Sequence, residues 1–164
     1  MLNIIQEPHI EFRDEVKTLE IKISTPMKGM FQQSDKLWNE LSRSLKSMGI
    51  QETGPYYLRF RIIDMAGYMA ISVGVPVHSK YDGSSKITPS VLPRGNYACL
   101  TFSGHGLPAN KLLLRWIKDR NLIMDCWDEP SGEAFACRCE SFLTDRRFEP
   151  HKKKWEIGLS IKLK

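Results

Sequence analysis

The chain has 164 residues, of which 41% are hydrophobic and 26% charged, and its formal net charge is +5 at pH 7. This length agrees with one domain over residues 1–164. No run approaches the ~20 apolar residues of a membrane span, and the N-terminus lacks the regions of a signal peptide, so we expect a cytoplasmic protein without a membrane partner. Lys and Arg are dispersed except at residues 152–154, a run that we interpret as the charged start of a strand rather than a phosphate contact.

The first half of the chain predicts a strand, a helix and two further strands. Residues 18–24 alternate between apolar and polar side chains, and apolar residues then recur at three- and four-residue spacings over residues 32–48. Alternation returns over residues 57–63 and 72–77, which predicts two strands after the helix.

The second half repeats this order of elements. A strand is predicted over residues 97–103, an amphipathic helix over 108–122, and strands over 135–143 and 156–161. The polar segment 81–86 is predicted to link the two halves.

The chain is therefore predicted to contain two pseudo-repeats, residues 12–78 and 90–164, each a β-α-β-β unit. One such unit cannot bury its apolar face alone. We predict an α+β fold in which the duplicated units form one antiparallel sheet with both helices on one face. The opposite face is then open, and we predict a ligand groove there.

Alternation along the strands also predicts which side chains line the open face. Aromatic rings mixed with a few charges are typical of small-molecule sites, because rings supply contact area and polar groups fix the orientation of the ligand. The predicted ligand-binding residues are Tyr57, Arg59, Arg61, Tyr68, Tyr97, Arg138, Glu140, Phe142 and Glu156.

Two other features of the strands bear on this groove. Gly74 and Gly158 lie inside strands, where a missing side chain allows close approach of another group or marks a bulge. As an alternative to ligand contact, Glu140 or Glu156 could form an ion pair with an arginine of the same face and close the groove.

No motif indicates a metal or a cofactor, and we predict neither. The four cysteines, Cys99, Cys126, Cys137 and Cys139, are expected to be reduced thiols, because a secreted disulfide scaffold would be shorter and richer in Cys. Cys137 and Cys139 share one strand face, but a structural zinc site needs four ligands. His105 and Cys99 could mimic a Cys/His pair, although nothing indicates a third, orienting group.

Five segments in chain order carry a resemblance to a known family: GPYYLRF (54–60), VGVPV (73–77), LPRGNYA (92–98), CESFLTD (139–145) and WEI (155–157). Together they resemble a GyrI-like domain, which is also the effector-binding domain of some AraC-type and multidrug-sensing transcription activators. The resemblance implies the duplicated fold and a ligand groove. It implies three alternative functions: binding of a drug or metabolite, inhibition of DNA gyrase by protein contact, or hydrolysis of cyclopropane-containing genotoxins.

The resemblance also implies roles for individual residues. Glu140 matches the glutamate of the family's Glu-x-Tyr-Leu strand, but Phe142 stands where the family has tyrosine. The missing hydroxyl weakens the hydrolase alternative. The family's second groove glutamate aligns with either Gly158 or Glu156. In a hydrolase, Glu140 or Glu156 would be the base that activates water.

We therefore expect a stand-alone protein that binds a small aromatic or amphipathic ligand. Residues 1–11 leave no room for a helix-turn-helix, so we expect no direct contact with nucleic acid. Any regulatory effect would pass through a partner protein, such as a regulator or gyrase.

Overall fold

The computed structural model describes residues 1–64 and 66–164. These residues form a ten-stranded antiparallel sheet and two α-helices. The elements are β1 (Asn3–Arg13), β2 (Val16–Pro26), α1 (Met30–Met48), β3 (Tyr57–Ile63), β4 (Tyr68–Pro76), β5 (Ile87–Leu92), β6 (Gly95–Ser103), α2 (Gly106–Asp119), β7 (Cys126–Glu129), β8 (Gly132–Phe135), β9 (Arg138–Phe142) and β10 (Ile157–Lys162), with a 3₁₀ turn at Lys152–Lys154.

The strand order is β1-β6-β10-β9-β3-β4-β2-β5, and the β7-β8 hairpin attaches through β8 to β3. The order β6-β10-β9 in one half corresponds to β2-β4-β3 in the other. The two halves meet where β9 pairs with β3, around the opposed residues Tyr57 and Ser141. The predicted α+β class and single antiparallel sheet are confirmed.

The outer strands β1 and β5 were not predicted. β1 precedes the first β-α-β-β unit, yet it pairs with β6 of the second unit. β5 overlaps the start of the second unit, yet it pairs with β2 of the first. Each half therefore extends the sheet of the other half. The predicted strand 135–143 is also interrupted: β8 ends at Phe135 and β9 begins at Arg138.

Both helices lie on one face of the sheet, as predicted. Directly opposed residues of antiparallel strands point to the same face. One such row crosses the sheet through Ile21, Val73, Leu58, Glu140, Leu159 and Leu100. α1 packs on one end of this row and α2 on the other, in two hydrophobic clusters.

Each helix buries one apolar stripe. Leu37, Leu41 and Leu45 of α1 recur at four-residue spacing and are buried against β2, β3 and β4. α1 ends at Gly49, whose φ of 69° is the left-handed conformation that favours glycine. Among the described residues, neither helix has the length and apolar character needed to cross a membrane.

Candidate functional site: a groove between the two helices

The sheet face opposite the helices, here called the helix-free face, is filled by its own side chains. The Glu20 carboxylate is fully buried there. The Tyr57 hydroxyl donates to Glu20 Oε2 at 2.5 Å, and Arg59 Nη1 lies 3.3 Å from the same oxygen. Arg61 donates to the other oxygen, Oε1. A buried Arg-Glu network therefore closes the face on which we predicted the groove.

This network holds Glu20 in its charged form. Burial by itself would raise the pKa of Glu20, but Arg61, the hydrogen bond from Tyr57 and Arg59 together lower it. Arg59 also donates to the backbone carbonyls of Val91 and Ala136, both at 2.9 Å. These bonds tie β5 and the link between β8 and β9 to the buried network. An Arg-Glu network thus closes this face, but the acid is Glu20. The alternative that we named was wrong in its acids, because in the described part of the chain neither Glu140 nor Glu156 forms an ion pair with an arginine of this face.

Tyr97 is buried beside this network. Its hydroxyl donates to the Pro93 carbonyl at 2.5 Å, and its ring packs among Cys99, Cys137 and Cys139. All four cysteines of the chain are free thiols, and Cys137 Sγ lies 3.8 Å from Cys139 Sγ. The hydrogen bond with Cys139 lowers the pKa of Cys137 to about 7 against the opposing effect of burial.

The predicted facing is wrong for Arg138, Glu140 and Phe142, which lie on the helix side. Glu140 is opposed to Leu58 and Leu159, both of which belong to the cores under the helices. Arg138 and Phe142, two residues away on the same strand, share its face. We had assigned the charged residues to the face opposite the helices. They can lie on the helix side because neither helix covers the strip of sheet between the two helices.

A cavity of about 340 Å³ occupies this uncovered strip, between the first half of α1 and the start of α2. We call it the groove. Its lining is mostly apolar and aromatic, with one carboxyl group from the sheet. The residues that line it include Phe31, Ser34, Asp35, Trp38, Phe102, Gly106, Glu140, Phe142, Lys152, Lys153, Trp155 and Ile157.

Aromatic rings form one wall of the groove. The Trp38 ring centroid lies 4.9 Å from that of Phe142 and 6.0 Å from that of Trp155. Such tilted contacts hold the rings in fixed orientations. Lys152 Nζ lies 2.6 Å from Asp35 Oδ2, so the second carboxylate of the lining is already neutralised by a lysine.

Glu140 differs from Asp35 because neighbouring groups compensate its negative charge only in part. Burial raises the pKa of Glu140, while a hydrogen bond from Asn110 and the charge of Arg138 oppose this only in part. Asn110 Nδ2 lies 3.4 Å from Glu140 Oε1, and Arg138 Nη2 donates to Asn110 Oδ1 at 3.2 Å. A carboxyl with a raised pKa can donate a hydrogen bond when protonated and can attract a cation when charged.

The other predicted contacts lie apart from Glu140. Tyr68 is 65% exposed at the start of β4. Glu156 is exposed just before β10, and its backbone N–H donates to Thr144 Oγ1 at 2.9 Å. Tyr57 borders the groove, but its hydroxyl is bonded on the helix-free face. The structure thus brings together Glu140, Phe142 and Arg138 and leaves the remaining predicted residues elsewhere.

Sequence reasoning missed several residues of the groove. Trp38 was interpreted as a core residue, although it both packs in the core and lines the groove. Asn110 gave a usable signal, because it is a polar residue beside the apolar stripe of Ala109, Leu113 and Ile117. Phe31 gave no such signal, because its exposure on α1 is seen only in the structure.

Comparison with known proteins gives structural likeness without detectable sequence similarity. No family model matches the chain, and no curated protein matches it significantly. The crystal structure of the EcmrR C-terminal domain matches at TM-score 0.76 and 11% identity, over 98% of this chain and 99% of that one. An EcmrR-DNA complex matches at TM-score 0.77 and 12% identity, over 98% of this chain and 58% of the EcmrR chain.

Two further solved structures share this fold. SAV2435 bound to tetraphenylphosphonium matches at TM-score 0.60 and 12% identity, over 96% of this chain and 94% of that one. A hydrolase from Listeria innocua matches at TM-score 0.62 and 14% identity, over 97% and 92% of the two chains. At such identities the likeness establishes the fold. The duplicated fold that the resemblance implied is therefore confirmed as a fold.

Proposed function

We propose that the groove binds a small aromatic or amphipathic molecule. The observation that carries this proposal is a cavity of about 340 Å³ with aromatic walls and a partly compensated carboxyl group, Glu140, on its floor. Ligand pockets typically measure roughly 300–1,000 Å³ and combine apolar walls with a few polar groups. The groove meets both criteria.

Glu140 itself favours a ligand that places a hydrogen-bond donor or a positive charge beside it. Arg59 and Arg61, which we predicted to line the ligand groove, lie on the helix-free face and are bonded to Glu20. Arg138 donates to Asn110. SAV2435, which shares the fold, was solved with tetraphenylphosphonium, an aromatic cation, and this supports the same ligand class here.

Such binding would serve sensing or sequestration of the ligand. The likeness to EcmrR, one of whose structures is a complex with DNA, supports a regulatory use. In that role the occupied groove would alter contact with a partner protein, such as a transcription regulator.

Titration with tetraphenylphosphonium in a calorimeter tests the proposal. We expect binding by the unchanged protein and affinity that rises with pH as Glu140 loses its proton. Glu140→Gln should weaken binding roughly tenfold or more, because the Coulomb attraction between the carboxylate and the cation is lost, which is about 2 kcal/mol at a separation of about 8 Å and a dielectric constant of about 20. Glu156→Gln is the matched control, because this exposed carboxylate does not line the groove. Equal affinity for both variants, or no binding, would contradict the proposal.

Hydrolysis is a second candidate function, favoured by the raised pKa of Glu140. A general base works best when its pKa lies near the working pH. Phe142 supplies no hydroxyl beside this carboxyl, so we expect little turnover of cyclopropane-bearing aromatic substrates by the unchanged protein. Phe142→Tyr should increase hydrolysis, and Glu140→Gln in that background should remove the gain. Efficient turnover by the unchanged protein would favour an enzyme over a binding protein.

A further inference from the structure

A cluster of metal-ligating side chains lies on the helix-free face, at the edge of the sheet that β1 forms. It consists of His9 and Glu11 on β1 and Cys99 on β6. His9 is directly opposed to Cys99, and Glu11 is two residues further along β1, so the three side chains point to the same face. The groove lies on the other face of the sheet, and its proposed function uses none of these residues.

The donor atoms of the three side chains are close enough to bind one metal ion. His9 Nε2, Cys99 Sγ and a carboxylate oxygen of Glu11 all lie within 4.8 Å of one another, and His9 Nε2 is 3.0 Å from Glu11 Oε2. A point among three atoms at this spacing lies within about 2.8 Å of each, and zinc–ligand bonds are about 2.0–2.3 Å long. Small side-chain rotations would therefore complete the coordination.

His9 is oriented as a metal ligand. Its Nδ1 lies 2.7 Å from the Glu7 carbonyl oxygen, which can only accept a hydrogen bond, so Nδ1 carries a proton. The other ring nitrogen, Nε2, faces the Glu11 carboxylate, which is also an acceptor. This contact is favourable only when a positive charge lies between the two atoms, either a second proton on the ring or a metal ion. Donation of Nδ1–H to a backbone carbonyl is a usual arrangement for metal-binding histidine.

Arg13 shows that a positive charge is favoured at the cluster. Its Nη2 lies 3.4 Å from Glu11 Oε2 and 3.4 Å from Cys99 Sγ. The Arg13 side chain is 39% exposed, and those of Glu11 and His9 are 44% and 28% exposed, so solvent reaches the cluster from the edge of the sheet. Rotation of Arg13 toward solvent would free the buried Cys99 Sγ for a metal ion. The charge of Arg13 would still lower the affinity for that ion.

The donor set favours zinc. An imidazole nitrogen, a thiolate and a carboxylate oxygen suit Zn²⁺, whereas Mg²⁺ and Ca²⁺ prefer oxygen ligands alone. Burial raises the pKa of Cys99 to about 12, so the free protein holds a thiol here. Zinc binding would release the thiol proton to solvent, and a Zn–S bond would form in its place. Three protein ligands leave the fourth tetrahedral position for a water molecule.

We propose that His9, Glu11 and Cys99 form a zinc site that fastens β1 to β6. β1 is the outermost strand on its side of the sheet, and within the described residues it pairs with β6 alone. An ion bound to side chains of both strands would oppose separation of β1 from the sheet. It would therefore stabilise the folded state by mass action.

Titration of the reduced protein with Zn²⁺ and Co²⁺ tests the proposal. One Zn²⁺ ion per chain should bind and raise the melting temperature, whereas Mg²⁺ at the same concentration should do neither. Co²⁺ bound to a thiolate absorbs in the near ultraviolet, and Cys99→Ala should remove this absorption. His9→Gln and Glu11→Gln should each weaken Zn²⁺ binding roughly tenfold or more. Arg13→Met should strengthen it, because a like charge is removed.

Two control variants address metal bound by the other thiols. Cys126→Ser removes a partly exposed thiol that lies outside the cluster and should leave Zn²⁺ affinity unchanged. Cys137→Ala removes one member of the buried pair Cys137 and Cys139 and should also leave it unchanged.

The variants of the exposed edge keep the test independent of folding. His9 and Glu11 are partly exposed, so their glutamine variants should fold even if the buried Cys99→Ala does not. No Zn²⁺ binding in large molar excess of the metal would overturn the proposal. Unchanged affinity in both glutamine variants, or loss of binding in either control variant, would also overturn it.

Discussion

Two glutamates, Glu20 fully buried and Glu140 partly buried, show how neighbouring residues decide the state of a carboxyl group. Glu20 is surrounded by Tyr57, Arg59 and Arg61, and its pKa is lowered despite burial. Glu140 has only an amide hydrogen bond and a more distant arginine, and burial raises its pKa. The first group stabilises the sheet in its charged form. The second is destabilising when charged and thus available to a ligand.

We predict that Glu140→Gln raises the free energy of unfolding at pH 7. A native pKa above the unfolded value means that the folded state binds the proton more tightly. The stability linked to that proton is therefore present at low pH and lost as the pH rises through the native pKa. Urea unfolding at pH 7 and at pH 4 should show a larger gain for the variant at pH 7. A loss of stability at pH 7 would contradict this account.

Glu20→Gln should have the opposite effect. Removing one partner of a buried ion pair leaves the others uncompensated and typically costs about 3–5 kcal/mol. Because the native pKa of Glu20 is lowered below the reference value of 4.5, its contribution is present above that pH and is lost as the pH falls through the native pKa. Urea unfolding should show a large loss for the variant at pH 7 that shrinks in strong acid.

At the scale of elements, corresponding strands of the two halves carry glycine for different reasons. Gly74 in β4 is opposed to Tyr57, whose ring lies across it, and Gly158 in β10 is opposed to Ser141. A Cβ added at Gly74 would collide with the Tyr57 ring and approach Glu20 Cγ to 2.8 Å. A Cβ added at Gly158 would meet only Leu143, at an ordinary 3.7 Å. The close approach predicted from these glycines thus exists at Gly74 and not at Gly158.

Alanine substitutions at these two positions should therefore differ in their effect on the free energy of unfolding. Gly74→Ala should destabilise the protein by about 1–3 kcal/mol, the usual cost of overpacking a core, because Tyr57 must leave its hydrogen bond with Glu20. Gly158→Ala should be close to neutral. The measurement is the urea midpoint of each variant against the unchanged protein, and similar losses for both would show that the Tyr57 contact is unimportant.

At the scale of the whole molecule, the two halves interlock rather than simply adjoin. β1 and β5 each complete the sheet of the other half. Corresponding strands nevertheless serve different purposes. β3 carries Arg59 into the network of the helix-free face, whereas β9 carries Glu140 into the groove. The two halves therefore share one backbone arrangement, and the groove depends on side chains, such as Glu140, that differ between them.

The sequence by itself determined the duplicated unit, both helices, the central strands and the common face of the helices. These depend on periodicity within short segments, such as the spacing of Leu37, Leu41 and Leu45, and periodicity is a local property of the chain. The sequence also indicated Glu140 and Phe142 as candidate site residues through their resemblance to a known strand.

Only the tertiary structure decided which face of the sheet holds the groove. Glu20 meets Arg59 and Arg61 across 39 and 41 residues of chain, and this meeting closes the helix-free face. Glu140 faces the helices because the interrupted strand sets its pairing with Leu58 and Leu159. Alternation along a strand divides its side chains into two faces. In a strand that carries charged residues, it does not tell which of the two faces lies toward the helices. That choice depends on partners distant in the sequence, because a buried charge is tolerated only where another part of the chain compensates it.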